Sequence, residues 1–284
     1  MAGKVAIVTD SSAMLPEPVA SGITVVPLQI IVDSEAYADG GPETSAEAVT
    51  RALSGRRSVS TSRPAPAALG QTYEALAAEG YDEIVSIHLS AEMSGTLDSA
   101  RLAAKTSPVP VVTLDTRAVG PCLGFAVLAA AKAVDEGAGA EDAAAAALAR
   151  AEATRSLFYV DTLDYLRRGG RIGAAAALLG SALAVKPLLA IEDGQVVLHE
   201  RVRTAARALS RLEELAVEAA GERDVEVVVA HLDSPERAGV LREHLAERLA
   251  PQLGGREVRC GELGASLAVH VGPGMLAVVV SPAL

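Results

Sequence analysis

Short apolar, β-branched runs alternate with longer stretches of helical spacing along most of the chain, the pattern of α/β architecture. Lys4 to Thr9 (KVAIVT) predicts a first strand, and Asp10-Ser11-Ser12 behind it supplies turn and N-cap chemistry. Ile23 to Val32 (ITVVPLQIIV) predicts the next, with an edge or irregularity at Pro27. Glu83 to Leu89 and Val109 to Asp115 complete a set of four. Thr44 to Leu53, Ala67 to Ala78 and roughly Ser94 to Lys105 have helical composition. Apolar strands separated by crossover-length helices predict an N-terminal parallel sheet flanked by helices.

From Pro121 to Arg155 the chain reads as helix, Ala143 to Ala147 being a run of the best helix former. A boundary is expected there, dividing residues 1–155 from residues 156–284. The second part restarts with an extended run, Leu157 to Val160, and a helix through Leu166 that Gly169-Gly170 stops. Val185 to Ile191 and Val196 to Val202 flank Glu192-Asp193-Gly194-Gln195. Asp-Gly between extended runs is a hairpin signal, so this second α/β domain should carry a mixed sheet. Helices over Thr204 to Ala220 and Ser234 to Leu249, and strands over Val225 to His231, Arg256 to Cys260 and Leu276 to Val280, complete the reading.

Composition narrows the class. Half of the 284 residues are apolar, which excludes global disorder. A net charge of −11 argues against a chain-wide nucleic-acid footprint, and seven aromatic residues without a tryptophan argue against a base-stacking platform. Cys122 and Cys260 make no disulfide framework, and two buried, reduced thiols in a cytoplasmic protein are expected. The longest apolar stretch, Ala174 to Val185, is interrupted by Gly180 and Ser181 and falls short of a membrane span.

Five segments carry polar residues where an α/β fold places ligands, at the carboxyl ends of strands. Thr9-Asp10-Ser11-Ser12 reads equally well as capping. Ser58 to Pro64 (SVSTSRP) offers more hydroxyls, Thr61 and Ser62 among them, than one cap requires. Ser94-Gly95-Thr96 opens a helix, where backbone N–H groups and hydroxyls suit an anion and Gly95 permits close approach. Arg167, Arg168 and Arg171 lie among Gly169, Gly170 and Gly173, a loop fitted to phosphate or carboxylate that Arg201 and Arg203 can join. His270 is expected between Gly/Pro turns ahead of the last strand. There is no P-loop and no metal-ligand spacing, so no cofactor and no metal is expected. Gly264-Ala265-Ser266-Leu267-Ala268 lacks the final glycine of a nucleophile elbow. On these residues alone, a hydrolase or transferase acting on a small phosphorylated metabolite fits as well as a binding protein.

Taken together, the segments resemble the DegV family of bacterial fatty-acid-binding proteins. The matching pieces are Val8-Thr9-Asp10-Ser11-Ser12, Thr61-Ser62-Arg63-Pro64, Ser94-Gly95-Thr96, the run VDTLDYLRRGGRIG from Val160 to Gly173, Lys186-Pro187 and His270-Val271-Gly272-Pro273-Gly274. They fall in order along nearly the whole chain. Arg63 stands where the family often has Gln, and Met93 where it often has Leu. The resemblance implies two α/β domains with a long-chain fatty acid in a tunnel between them. It implies a carboxylate site at Thr61, Ser94 and His270, with Ser62 and Gly95 close by. It further implies a partner: some members present the carboxylate to a separate ATP-dependent kinase that forms an acyl phosphate. Arg171, with Arg167, Arg168, Arg201 and Arg203, would then face the partner or the phosphoryl group. Energetics agree with a lipid, since ~0.8 kcal/mol per buried methylene gives about 11 kcal/mol for a chain of about fourteen, before ordering costs.

Overall fold

The computed structural model describes residues 3–16, 22–178 and 186–284. Its first half begins with β1 (Val5–Asp10), a short 3-10 turn at Ser11–Ala13, β2 (Ile23–Val26), β3 (Gln29–Val32) and β4 (Glu35–Ala38). Next come α1 (Ala46–Ser54), β5 (Val59–Ser62), α2 (Pro66–Ala78), β6 (Glu83–His88), α3 (Thr96–Ala104), β7 (Val111–Asp115), α4 (Pro121–Asp135) and α5 (Ala140–Ala153). Strands β2-β1-β6-β7 form the expected parallel sheet. All six residues of β1 are buried because helices cover both faces. Ala6 and Val8 pack with Leu69, Tyr73 and Leu76 of α2, while Val5 and Ile7 pack with α4 and α5 on the other side.

The single strand expected over Ile23 to Val32 is two strands in two sheets. Proline has no N–H to give a ladder, and the chain turns at Pro27-Leu28. The Leu28 N–H is instead taken by the Ser11 hydroxyl at 3.0 Å. Beyond the turn, β3 centres a small antiparallel sheet, β4-β3-β5, which the sequence pattern does not predict. Its outer strands are four residues each and rich in Ser, Ala and Glu, too short and polar for a clear strand signal.

The second half runs β8 (Arg155–Tyr159), α6 (Asp164–Arg168), β9 (Lys186–Glu192), β10 (Gln195–Val202), α7 (Ala205–Ala220) and β11 (Val225–His231). It ends with α8 (Pro235–Arg248), α9 (Ala250–Leu253), β12 (Arg259–Glu262), α10 (Ala265–Val271) and β13 (Leu276–Pro282). The six-stranded order is β10-β9-β8-β13-β11-β12. β11 and β12 run parallel and the other pairs antiparallel, with the Asp193-Gly194 hairpin joining β9 to β10, so the sheet is mixed as expected. Val185, expected to open β9, lies outside the described residues, as does most of the apolar run that precedes it.

Two further expectations are corrected. Residues 265–271 form a helix, so His270 stands in its last turn and not in an open loop. Ala-Ser-Leu-Ala-Val-His-Val mixes helix and strand formers too evenly to signal seven residues of helix. Cys260 is exposed, because β12 is an edge strand whose alternate positions face solvent. Cys122 is buried, and that burial pushes its thiol up to about 12, leaving it unreactive at neutral pH.

One face of the six-stranded sheet is sealed by α7 and α8, against which Leu157, Tyr159, Val227 and Val229 pack. The opposite face, presenting Phe158, Ala230, Ala277 and Val279, turns toward the first half. The halves are tied there by the buried Arg150 of α5, which donates to Ser281 Oγ of β13 and pairs with Glu226 of β11. Where that face is not filled by side chains, a cavity remains.

Candidate functional site

The cavity has a volume of about 110 Å³. Its wall draws on both halves: Leu28, Leu89, Val119 and Pro121 from the first, Phe158, Leu166, Ile191 and Met275 from the second. Most of the wall is apolar, with a few convergent polar groups, as is typical of a site for a small apolar ligand.

Period-two alternation puts Thr61 in that wall. Along β5, Val59 and Thr61 turn inward while Ser60 and Ser62 are exposed. Pairing of Thr61 with Ile30 of β3 fixes the register. His270 arrives from α10, whose cavity-facing stripe reads Ser266, Leu267, His270 and Val271, the i, i+3, i+4 spacing of one helical face. Gly272 ends that helix at φ +72°, where a Cβ would also collide with the Tyr165 ring. Thr61 Oγ1 and His270 Nε2 lie 2.8 Å apart, although 209 residues separate them in sequence.

The imidazole is mostly buried, and its Nδ1 has no partner among the described residues. Burial first, and then the positive charge of Arg171, push its pKa down from 6.5 to about 4. The ring is therefore neutral at pH 7. With the proton on Nε2, the ring donates to Thr61 and leaves the threonine O–H free for an acceptor in the cavity; the orphan Nδ1 is then a lone pair. Gly169 makes room for that nitrogen, since a Cβ there would collide with it.

Ser94 reaches the same wall from the loop after β6. The Ser90 carbonyl accepts from the Met93 and Ser94 N–H groups and so closes the turn, and Ser94 Oγ lies 2.9 Å from Thr96 Oγ1. Arg171 enters from the loop after α6 and is held by two carbonyls, Nε to Met93 O at 2.9 Å and Nη1 to Gly169 O. It thus links the Arg-Gly loop of the second half to the Ser94 loop of the first. Ser62 and Arg63 line both this cavity and an adjoining outer groove, which marks the mouth. Thr61, Ser62, Ser94, Arg171 and His270 are accordingly brought together.

The remaining residues singled out from the sequence are not. Gly95 stands behind the wall: its carbonyl accepts from Arg63 Nη1 at 3.2 Å, and Arg63 fills the space a Cβ would need. Arg167 is exposed and pairs with Asp164 at 3.4 Å. Arg168 stacks on Tyr165, 4.7 Å from the ring centre. Arg201 and Arg203 are exposed on and beyond the end of β10, outside the cavity wall. The five arginines therefore occupy separate environments. Conversely, Ser12 and Arg63, which lie in two of the candidate segments but were not assigned to the site, belong to the wall, as does Ser266. For Ser266 the readable signal is its i, i+4 spacing from His270.

Asp10 proves to be the centre of a buried chain of hydrogen bonds. Its carboxylate accepts from Ser12 N–H (3.2 Å), Ser12 O–H (2.5 Å), Leu89 N–H (3.1 Å) and His88 Nδ1–H (3.0 Å). His88 Nε2 is 2.8 Å from Ser86 Oγ, which is 2.8 Å from Tyr73 OH. Burial pushes the tyrosine up to about 12, so it remains a donor and every group in the chain is satisfied. Among the described residues, no group of three or more His, Cys, Asp or Glu side chains is placed to hold a metal.

The sequence model of the DegV family, described as uncharacterised proteins, matches residues 4–283. The chain belongs to the DegV family. A DegV domain-containing protein of Streptomyces coelicolor is 49% identical over 283 residues, covering 99% of both chains. Another, from Deinococcus radiodurans, is 39% identical over 284 residues with 98% of both covered. Among solved structures, a DegV family protein of Thermus thermophilus, described by its fatty-acid binding, superposes with TM-score 0.89 at 30% identity, covering 99% of this chain and all of that one. DegV of Bacillus subtilis, described as a fatty acid binding protein, gives TM-score 0.89 at 31% identity over the same shares. The mixed α/β fold of this chain is thus the DegV fold. Among its described residues no helix is long and apolar enough to cross a membrane.

Proposed function

We propose that this DegV protein binds a long-chain fatty acid in the cavity between residues 1–155 and 156–284, with the carboxylate at Thr61, Ser62, Ser94 and His270. The observation that carries the reading is the 2.8 Å Thr61–His270 pair in the wall of a mostly apolar cavity. An acyl tail suits the apolar wall, and burial of its methylenes supplies most of the affinity. The head meets neutral hydroxyls and a neutral imidazole, which orient a carboxylate without clamping it in an ion pair. One carboxylate oxygen then stays nucleophilic.

That arrangement fits presentation of the carboxylate to a separate ATP-dependent kinase, which would form the acyl phosphate, with this chain as the lipid-carrying subunit. The mouth at Ser62 and Arg63 gives a phosphoryl group access to the head. Arg171 sits close enough to the site to depress His270, and positive charge near a transferring phosphoryl group stabilises the developing anion. The exposed Arg167, Arg168, Arg201 and Arg203 offer charge for an acidic partner surface.

Two measurements test this. Denaturing the purified protein and analysing the extract by mass spectrometry should release fatty acid in near-stoichiometric amount; a clean extract together with no measurable binding of added palmitate refutes the lipid reading. For the kinase, acyl phosphate should form only when the lipid-loaded protein, a cognate kinase and ATP are combined. Formation from the kinase and free fatty acid alone, at the same rate, refutes presentation.

A further inference from the structure

Ser266 is not accounted for by a carboxylate at Thr61 and His270. Its side chain is 3% exposed, it lines the cavity, and its Oγ has no hydrogen-bond partner among the described residues. A buried hydroxyl is normally paired, so an orphan one on a residue in the wall of a ligand cavity points to an oxygen on the ligand. Ser266 lies one helical turn before His270 on the same stripe of α10, ~6 Å along the axis. Its surroundings hold a complementary group. The 3-10 turn Ser11–Ala13 packs against α10, and Ser12 of that turn also lines the cavity. The Ser12 O–H is already given to Asp10, whose carboxylate is fixed by His88 and the Leu89 N–H. Ser12 therefore offers the cavity an acceptor lone pair, whereas Ser266 has an O–H to donate.

We propose that Ser266, with Ser12 as its counterpart, forms a second polar subsite that takes a hydroxyl group on the part of the acyl chain nearest the carboxylate. The inference rests on the fatty-acid reading above and adds a substrate class to it: hydroxylated fatty acids. A ligand hydroxyl accepts from Ser266 and donates to Ser12, satisfying both. An unsubstituted methylene leaves Ser266 unpaired, so the subsite discriminates by what it loses as well as by what it gains. A second carboxylate is a poor occupant, because the Asp10 carboxylate, which takes the Ser12 O–H, stands directly behind Ser12. Ser156, the other serine near the tail, also borders a wide outer groove and can be hydrated from it.

The test uses full-length, lipid-stripped protein and displacement of a fluorescent fatty acid. The competitors are palmitate and a series of monohydroxypalmitates with the hydroxyl stepped along the proximal half of the chain. Wild type should favour one positional isomer over palmitate. Ser266→Ala should bind palmitate at least as well as wild type but lose about tenfold of that preference, the equivalent of one neutral hydrogen bond. Ser266→Thr, which keeps the hydroxyl, should retain the preference, and matching melting curves would show that all three are folded. The subsite is refuted if the ratio of hydroxy acid to palmitate is unchanged by Ser266→Ala for every isomer. It is equally refuted if the variant weakens both ligands alike, as loss of a water-bound hydroxyl would. Failure of wild type to bind palmitate at all would instead overturn the carboxylate reading, and this inference with it.

Discussion

Protonation of His270 offers a direct probe of how the site is built. Burial and Arg171 hold its folded-state pKa at about 4 against an ordinary 6.5. Above pH 6.5 the ring is neutral in both the folded and unfolded chain, so it contributes nothing to the pH dependence of stability. Between pH 6.5 and 4 the unfolded chain binds a proton that the folded ring refuses, and stability falls as pH falls. The full difference is worth at most ~3.4 kcal/mol. The part of the ring still open to solvent brings the expected loss to about 2–3 kcal/mol. Urea unfolding of ligand-free protein at steps from pH 7.5 to 4.5 measures it, with His270→Gln as the reference because other groups also titrate in this range. The stability of wild type relative to the variant should drop by most of that amount as pH falls. Parallel curves would refute the burial argument, and with it the neutral ring. Saturating fatty acid should flatten the wild-type slope, since a carboxylate beside the ring favours the imidazolium.

Thr61→Ala and Ser94→Ala should each weaken fatty-acid binding by tenfold or more, from ~1.5–3 kcal/mol per hydrogen bond to a charged acceptor; unchanged affinity by calorimetry in both would remove them from the carboxylate site. Gly169→Ala places a methyl on His270 Nδ1 while its backbone, at φ −74°, tolerates any residue; ligand affinity should fall with little change in melting temperature, and an unaltered His270 NMR signal would contradict this. Arg150→Met should lower unfolding stability by about 2–4 kcal/mol, because Glu226 and Ser281 lose their buried partner; a neutral result in urea would show that this link between the halves is not stabilising. Reversing charge at Arg201 and Arg203 together should depress kinase-dependent acyl phosphate formation and leave palmitate binding intact; equal rates with wild type would exclude these arginines from the docking surface.

What the sequence reveals depends on whether a residue's role is set locally. The parallel sheet, the mixed sheet and the long helices were legible because periodicity, turn glycines and the Asp193-Gly194 hairpin act within a few residues of themselves. The strand break at Pro27 was visible only as an irregularity: nothing local says that the Leu28 N–H goes to Ser11, or that the chain then enters another sheet. The polar ends of the site were legible as motifs, each with more hydroxyls or arginines than capping requires. Their roles were separable only in three dimensions. Gly95 was read as space for a ligand, yet Arg63 occupies that space from 32 residues away. Among five arginines of similar local character, only Arg171 reaches the cavity wall, because Met93 and Gly169 supply carbonyls that turn its guanidinium inward.

The same reasoning explains why His270 could be named from sequence but its state could not. Its place in the chain does not set its pKa; burial in the cavity wall and the charge of Arg171, which comes from another segment, do. A proton on Nε2 of that ring is in turn what leaves the Thr61 O–H free to donate toward the cavity. The state of the Thr61–His270 pair is therefore a property of the contact between the halves, and any change that separates them by an ångström should alter ligand affinity before it alters the stability of either half.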